Sequence, residues 1–259
     1  MQPTHEPGEP ESRLSSTRPT GLRTAVIIHN FLRPQNLPRI VSACLRARHR
    51  PDVLVIDNAL DDSLAAPLRA ATAAIADASA RLTYRANFMN RGSGDRYSVA
   101  AGLDHDAIAS IDDDLFLTPA QVDALLDQYL SDTSRIHGVW GERLVTRDGR
   151  PFMINAIFGR EVEVDILNRA YAFAPAQARQ ACELLHQLGY KDWMALGPGS
   201  DIILSFSGER RPLVHDVGGL ESCETSGTPG IAFWRREDFH GRRFELLRRL
   251  MRMRPRPTG

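Results

Sequence analysis

The sequence predicts an α/β protein built on a mixed, mainly parallel sheet flanked by helices. Three observations carry that expectation. Short apolar, β-branched runs alternate with helical spacings from Thr24 to Leu130. Strands covered on both faces read as such continuous runs, and strand–helix–strand alternation favours parallel pairing with helices on both sides. Two of the runs also end in acidic or amide clusters, the position where open α/β sheets gather ligands.

The elements follow in order. Residues 1–22 are rich in Pro, Ser and Glu and lack an apolar signal core, so they are expected to be disordered. Thr24 to His29 forms a first buried strand, broken by Asn30 to Pro34. Leu37, Ile40, Val41, Cys44 and Leu45 have helical spacing. Val53 to Ile56 is a second strand ending at Asp57-Asn58. The alanine-rich stretch from Leu64 to Ala80 reads as one helix, and Leu82 to Tyr84 as a third strand. Asn87 to Asp95 is loop-like, Tyr97 to Leu103 a helical turn, and Ala107 to Ile111 a strand running into Asp112-Asp113-Asp114. Thr118-Pro119 opens a helix over Ala120 to Leu130, with proline at its first position.

The second half reads differently. His137 to Phe158 suggests strands joined by a turn at Arg147-Asp148-Gly149, and Val162 to Ala174 a further strand region. Pro175 to Leu188 is an amphipathic helix. Gly197-Pro198-Gly199 delivers Ser200-Asp201 to the apolar run Ile202 to Phe206. Gly218 to Gly230 has the composition of a mobile loop, and Arg242 to Met253 that of a basic amphipathic helix. These readings give one domain over residues 23–250 in two halves (23–119 and 120–250), followed by a basic tail (251–259).

Composition narrows the function classes. The 259 residues are 42% hydrophobic and 25% charged, and 32 cations balance 32 anions. That neutrality disfavours a general nucleic-acid binder. Cys44, Cys182 and Cys223 form no CxxC pair, which disfavours a disulfide framework or a cysteine zinc site and suits a reducing, cytoplasmic setting. No run approaches a membrane span.

The chemistry is expected at the acidic triplet. Three adjacent carboxylates at a strand end repel one another, and a hard cation bridging them to a diphosphate offsets that repulsion. Mg²⁺ or Mn²⁺ suits such oxygen ligands. In an extended segment Asp112 and Asp114 face one side and Asp113 the other. The alternative is an acidic turn capping the next helix. Arg91 and Arg96, beside Gly92 and Gly94, offer guanidinium forks for phosphate or a base in a loop where the backbone can approach a ligand; the alternative is a surface loop. Arg33, Asp57 and Asn58 sit where base and diphosphate meet such a sheet, or serve turn chemistry. Asp201 is either a catalytic carboxylate or a helix cap. His240, Arg242 and Arg243 either reach a leaving group or form a solvated basic face. His215 is a spare metal-ligand candidate or a structural histidine.

Taken together these segments resemble a GT-A glycosyltransferase, and within that group the exostosin-type domain of family 64. Asn90 to Pro119 is similar to the family's NR…AVLSIDDD pattern, Asn30 to Pro34 to its YNRP loop, and Ser200 to Phe206 to its (D/E)DIxxNF segment. His240 to Leu247 is similar to its HxxRRxEC segment. Ser200 and Ser205 stand where the family has an acid and an asparagine. The resemblance implies a Rossmann-like GT-A fold and a metal-dependent hexosyl- or N-acetylhexosaminyl-transferase. It would move a sugar from a nucleotide-sugar, UDP-linked, to a glycan or small hydroxyl acceptor with retention of configuration. It implies Mn²⁺ or Mg²⁺ on Asp114 and Asp112, and the nucleotide-sugar on Arg33, Asp57, Asn58, Arg91, Arg96, Asp112 and Asp113. Asp201 is then the active-site carboxylate, and Arg243 or Arg242 the diphosphate contact. A metal-dependent nucleotidyltransferase or phosphatase, and a non-catalytic sugar-binding module, remain as alternatives.

Overall fold

The computed structural model describes residues 21–58, 64–148, 150–229 and 233–255. The expected disordered segment (up to residue 20), Gly149 of the predicted turn, Gly230 of the predicted loop and the end of the basic tail (256–259) lie outside them.

Strand β1 (Thr24–Asn30) is buried throughout. Helix α1 (Leu37–Leu45) follows a 3-10 turn at Pro34–Asn36 and buries Leu37, Ile40, Val41, Cys44 and Leu45, the stripe its spacing predicts. Strand β2 (Asp52–Asp57) comes next. The single alanine-rich helix expected after it is two pieces, α2 (Ala65–Thr72) and α3 (Ala78–Arg81). Thr72 Oγ1 turns back onto the Leu68 carbonyl at 2.9 Å, and Asp77 takes a left-handed φ of 58°. Asp77 is held in that turn by ion pairs to Arg50 and Arg81. With few large side chains to bury, the stretch had little to keep it in one piece.

Strand β3 (Leu82–Ala86), helix α4 (Asp95–Ala100) and strand β4 (Ala107–Asp112) complete the first half. A short β5 (Leu115–Phe116) leads to α5 (Pro119–Ser131). Thr118 starts α5 with a reciprocal cap: its Oγ1 accepts from Gln121 N at 3.2 Å, and Gln121 Oε1 accepts from Thr118 N at 2.9 Å. Pro119 occupies the first turn, as its sequence position predicts.

The second half contributes β6 (His137–Gly138), the hairpin β7 (Gly141–Arg147) and β8 (Arg150–Ile157), and short strands β9 (Val162–Glu163), β10 (Ile166–Leu167) and β11 (Ala170–Phe173). Helices α6 (Pro175–Gln187), α7 (Trp193–Leu196) and α8 (Ser200–Ser205) follow. Then come β12 (Leu213–Val214), β13 (Glu221–Ser222) and α9 (Phe239–Met253). The segment expected to be a mobile loop is instead fastened: β13 pairs with β5, and Arg39 binds Glu221 at 2.6 Å.

The main sheet runs β3-β2-β1-β4-β11-β6-β12-β9. The first four strands are parallel, and β11 is antiparallel to both β4 and β6. Two apolar cores cover the two faces. One joins Tyr97, Phe173, Leu184, Ile203 and Leu247; the other joins Val26, Val41, Leu68, Leu125 and Tyr129. Strand order turns from β1 toward β2 on one side and β4 on the other. The crevice beyond their carboxyl ends is where an open α/β sheet receives a ligand. Among the described residues no helix is long and apolar enough to cross a membrane.

Candidate functional site

The carboxyl ends of β1, β2 and β4 carry the expected residues. Asp57 is fully buried and accepts from Asn30 Nδ2 at 2.8 Å and from Tyr84 Oη at 2.6 Å. Beside it Asn58 accepts from Asn87 Nδ2 at 2.5 Å and turns its own Nδ2 to His29 Nε2 at 3.0 Å and Asn90 Oδ1 at 3.2 Å. The Asn87 bond fixes the amide orientation, so His29 Nε2 is the acceptor and the ring is neutral. Burial, and then the nearby Arg96 charge, hold the His29 pKa well below its ordinary value.

Arg96, 6% exposed, donates to Asp112 Oδ1 at 2.6 Å and to Ser110 Oγ at 2.9 Å. It thus braces Asp112 at the carboxyl end of β4. Arg91 is exposed and donates to Asp95 Oδ1 at 3.0 Å; Asp95 in turn accepts from Asn87. It therefore borders the Asn58 network from outside. Gly92 and Gly94 do not open the backbone to a ligand, contrary to expectation. A Cβ at Gly94 would lie 2.3 Å from the Trp193 ring, so the close approach serves packing of α7 against the loop.

The triplet forms a tight turn rather than an extended run, yet its alternation survives. Asp112 and Asp114 are partly exposed while Asp113 is buried. Asp113 is held by protein groups. Its Oδ1 accepts from Arg33 Nη1 at 2.6 Å, its Oδ2 from Phe31 N at 2.6 Å, and its carbonyl from Asn36 at 2.8 Å. Arg33 is buried against Asp113 and reaches Thr225 at 3.3 Å, with Asp114 at 3.7 Å. Burial pushes Asp113 up to about 7, against the pull of Arg33 and the Phe31 amide. With a guanidinium at 2.6 Å, we take the carboxyl as ionised.

Asp114 meets Arg169 at 3.2 Å, and the Arg169 carbonyl accepts from Asp112 N at 2.7 Å. Arg169 holds a left-handed φ of 66°, uncommon for a side chain of its size. Its guanidinium also covers the Trp140 ring at 4.8 Å. No local sequence pattern marked Arg169.

Asp201 lies in the first turn of α8, not at its cap, which is Gly199 with φ 124°. Its Oδ1 accepts from Arg243 Nη1 at 2.6 Å. The buried Arg243 side chain is clamped between Asp201 and Glu142, the latter at 3.3 Å. Glu142 accepts from Asn168 at 2.9 Å. Arg242 turns to the Leu196 carbonyl at 3.1 Å, and His240 is exposed. Two links bring Asp201 toward the triplet. Ser200 and Ser93 hydroxyls bond at 2.8 Å, and the Tyr97 and Tyr171 hydroxyls at 2.5 Å. Both tyrosines feel the Asp201 carboxylate and the Arg96 charge, and burial raises both pKa values, that of Tyr171 to about 12. His215 is structural: it is buried and stacks on His137 at 5.0 Å.

Among the described residues no group of three His, Cys, Asp or Glu side chains stands ready to hold a metal ion. Mg²⁺ and Mn²⁺ sites often use one or two carboxylates, with water and substrate phosphates supplying the rest. Asp112 and Asp114, 32% and 18% exposed, are the carboxylates of the triplet that could supply such ligands. A hollow of about 720 Å³ lies elsewhere, between Tyr129, Gln177 and Arg254.

The mixed, mainly parallel sheet flanked by helices is GT-A-like. Solved structures with this fold include the mannosyltransferase PcManGT from Pyrobaculum calidifontis in complex with GDP-Man and Mn²⁺. It matches with a TM-score of 0.58 and 15% identity, over 89% of this chain and 65% of that one. S. aureus TarS 1-349 in complex with UDP matches with a TM-score of 0.52 and 12% identity, over 77% of this chain and 59% of that one. The same TarS segment in complex with UDP-GlcNAc gives 0.51 and 12%, over 77% and 57%. This chain therefore spans less than two thirds of each. No protein-family model and no curated sequence matches it.

Proposed function

We propose that the protein transfers a sugar from a nucleoside-diphosphate sugar to a hydroxyl acceptor. The observation that carries this reading is the pairing of two outward carboxylates at the β4 end, Asp112 and Asp114, with a third, Asp201, drawn in from α8. The GT-A-like fold supports it, as do the GDP-Man, UDP and UDP-GlcNAc complexes of its structural neighbours.

In this reading Asp57 and Asn58 shape the base subsite and Arg91 closes its rim. Arg96 orients Asp112. Asp112 and Asp114 would hold Mn²⁺ or Mg²⁺, which when bound neutralises charge on the departing diphosphate. The acceptor oxygen forms its bond to the anomeric carbon as the bond to the diphosphate oxygen breaks. The electron pair leaves with the diphosphate, which also takes the acceptor proton. Asp201, held through one oxygen by Arg243, turns its other oxygen to the sugar and stabilises positive character at the anomeric carbon. Uridine as the base and retention of configuration extend the same reading from the exostosin-type resemblance.

The test is a screen of UDP- and GDP-sugars for nucleotide release with and without Mn²⁺, followed by anomeric NMR of the product. Asp114→Asn should lower turnover by at least about a hundredfold with the melting temperature unchanged; full turnover would reject the assignment. Pyrophosphate release from a nucleoside triphosphate would favour a nucleotidyltransferase.

A further inference from the structure

The β7–β8 hairpin exposes a face that the donor chemistry does not use. Register pairs Arg143 with Ile154, Leu144 with Met153, Val145 with Phe152 and Arg147 with Arg150. Opposed residues share a face and successive pairs alternate. Leu144 and Met153 pack on the core. The outer face therefore carries Arg143, Val145, Arg147, Arg150, Phe152 and Ile154.

Three features of this face point outward. Phe152 and Ile154 are 49% and 41% exposed. Arg147 and Arg150 stand directly opposite each other, a like-charge pair that weakens a hairpin. None of the three arginines has an ion pair among the described residues; Arg147 only leans over the Phe152 ring at 6.0 Å. By contrast Arg33, Arg96, Arg169 and Arg243 all have carboxylate partners. Asp148, in the turn, adjoins Arg147, and Glu142, which adjoins Arg143, is taken up by Arg243 and Asn168.

We propose that this face docks the protein reversibly on an anionic lipid surface. A flat basic strip with apolar side chains between its charges matches a headgroup layer over an acyl boundary. Its size favours lipid over protein, because six side chains on two short strands are far fewer than the roughly 20–30 residues that each side gives a stable protein interface. Its chemistry favours lipid over nucleic acid: Phe152 is the one ring on the face, and Val145 and Ile154 give successive bases nothing further to stack on. The proposal is independent of the sugar-transfer reading.

The experiment is co-sedimentation of the full chain with vesicles of phosphatidylcholine alone or mixed with phosphatidylserine. Binding is expected only to the phosphatidylserine vesicles, and raised salt should weaken it. The double variant Arg147→Gln/Arg150→Gln should bind about 25-fold more weakly, roughly fivefold per arginine. Phe152→Ser should also weaken binding, and Arg147→Lys/Arg150→Lys should restore it. All should melt with the parent, because the face is exposed. No binding to phosphatidylserine vesicles overturns the proposal, as does binding that the variants leave unchanged. Self-association, or binding to a single-stranded oligonucleotide, that Phe152→Ser abolishes while vesicle binding is absent would assign the face to another partner.

Discussion

Three arginines each take a carboxylate of the triplet: Arg96 with Asp112, Arg33 with Asp113, Arg169 with Asp114. The pairs differ in burial, and the difference separates structural from functional charge. Asp113 and Arg33 have side chains 6% and 8% exposed, whereas Asp112 is 32% and Asp114 18% exposed. Removing one partner of a buried pair strands the other charge in low dielectric, typically costing about 3–5 kcal/mol. Asp113→Asn should therefore lower stability by about that much in urea titration. Asp114→Asn should change stability little and act on turnover, whereas Asp112→Asn also leaves the buried Arg96 without its carboxylate and should lower stability as well. Glu142 offers a second test at this scale. It holds Arg243 from the side opposite Asp201, so Glu142→Gln loosens the clamp without touching the sugar. Turnover should fall about tenfold with the donor KM unchanged, a split expected of an interaction made only in the transition state. A merely structural role would move the melting temperature instead.

At the scale of elements, Gly94 joins the loop before α4 to Trp193 of α7. Trp193 also packs edge-on to Tyr97 at 5.5 Å. Gly94→Ala places a methyl inside the indole and should destabilise by about 1–3 kcal/mol, as overpacking does; chemical denaturation measures it. The elements also show what the sequence could and could not reveal. Strands β1, β2 and β4 were legible because both their faces are covered, which leaves an apolar run. Helix α5 was legible from Thr118, Pro119 and the alternation behind them. The break between α2 and α3 was not, because alanine permits a helix without compelling one. Asp112, Asp114 and Asp201 stood out as carboxylates at element ends. Arg169, Glu142, Tyr171 and His29 did not. Each gains its place from partners distant in the chain: Arg169 lies 55 residues beyond Asp114, and Arg243 lies 101 beyond Glu142. Arg33 and Arg243 were found by position, but their carboxylate partners Asp113, Asp201 and Glu142 could not be.

At the scale of the whole molecule, buried histidines set the response to acid. His29 is held neutral by burial and Arg96, and burial brings His137 down to about 4 from an ordinary value of 6.5. Above pH 6.5 folded and unfolded chains both carry neutral rings, so stability is flat. Between 6.5 and about 4 the unfolded chain takes up protons that the folded chain refuses, and stability falls. Melting temperature should drop across that window, and His29→Gln should shallow the slope. The seam between β4 and β11 reaches further. It fuses strands from the early and late parts of the chain into one sheet, and four Cα pairings, Ala170–Ile111 through Phe173–Ile108, close it. A fragment stopped at residue 119 would present the bare flank of β4, with its Ile108 and Ile111, to other copies of itself. Dissection of the protein at residue 119 into two separately expressed pieces should yield aggregates, and the two would have to be made together to regain a soluble particle.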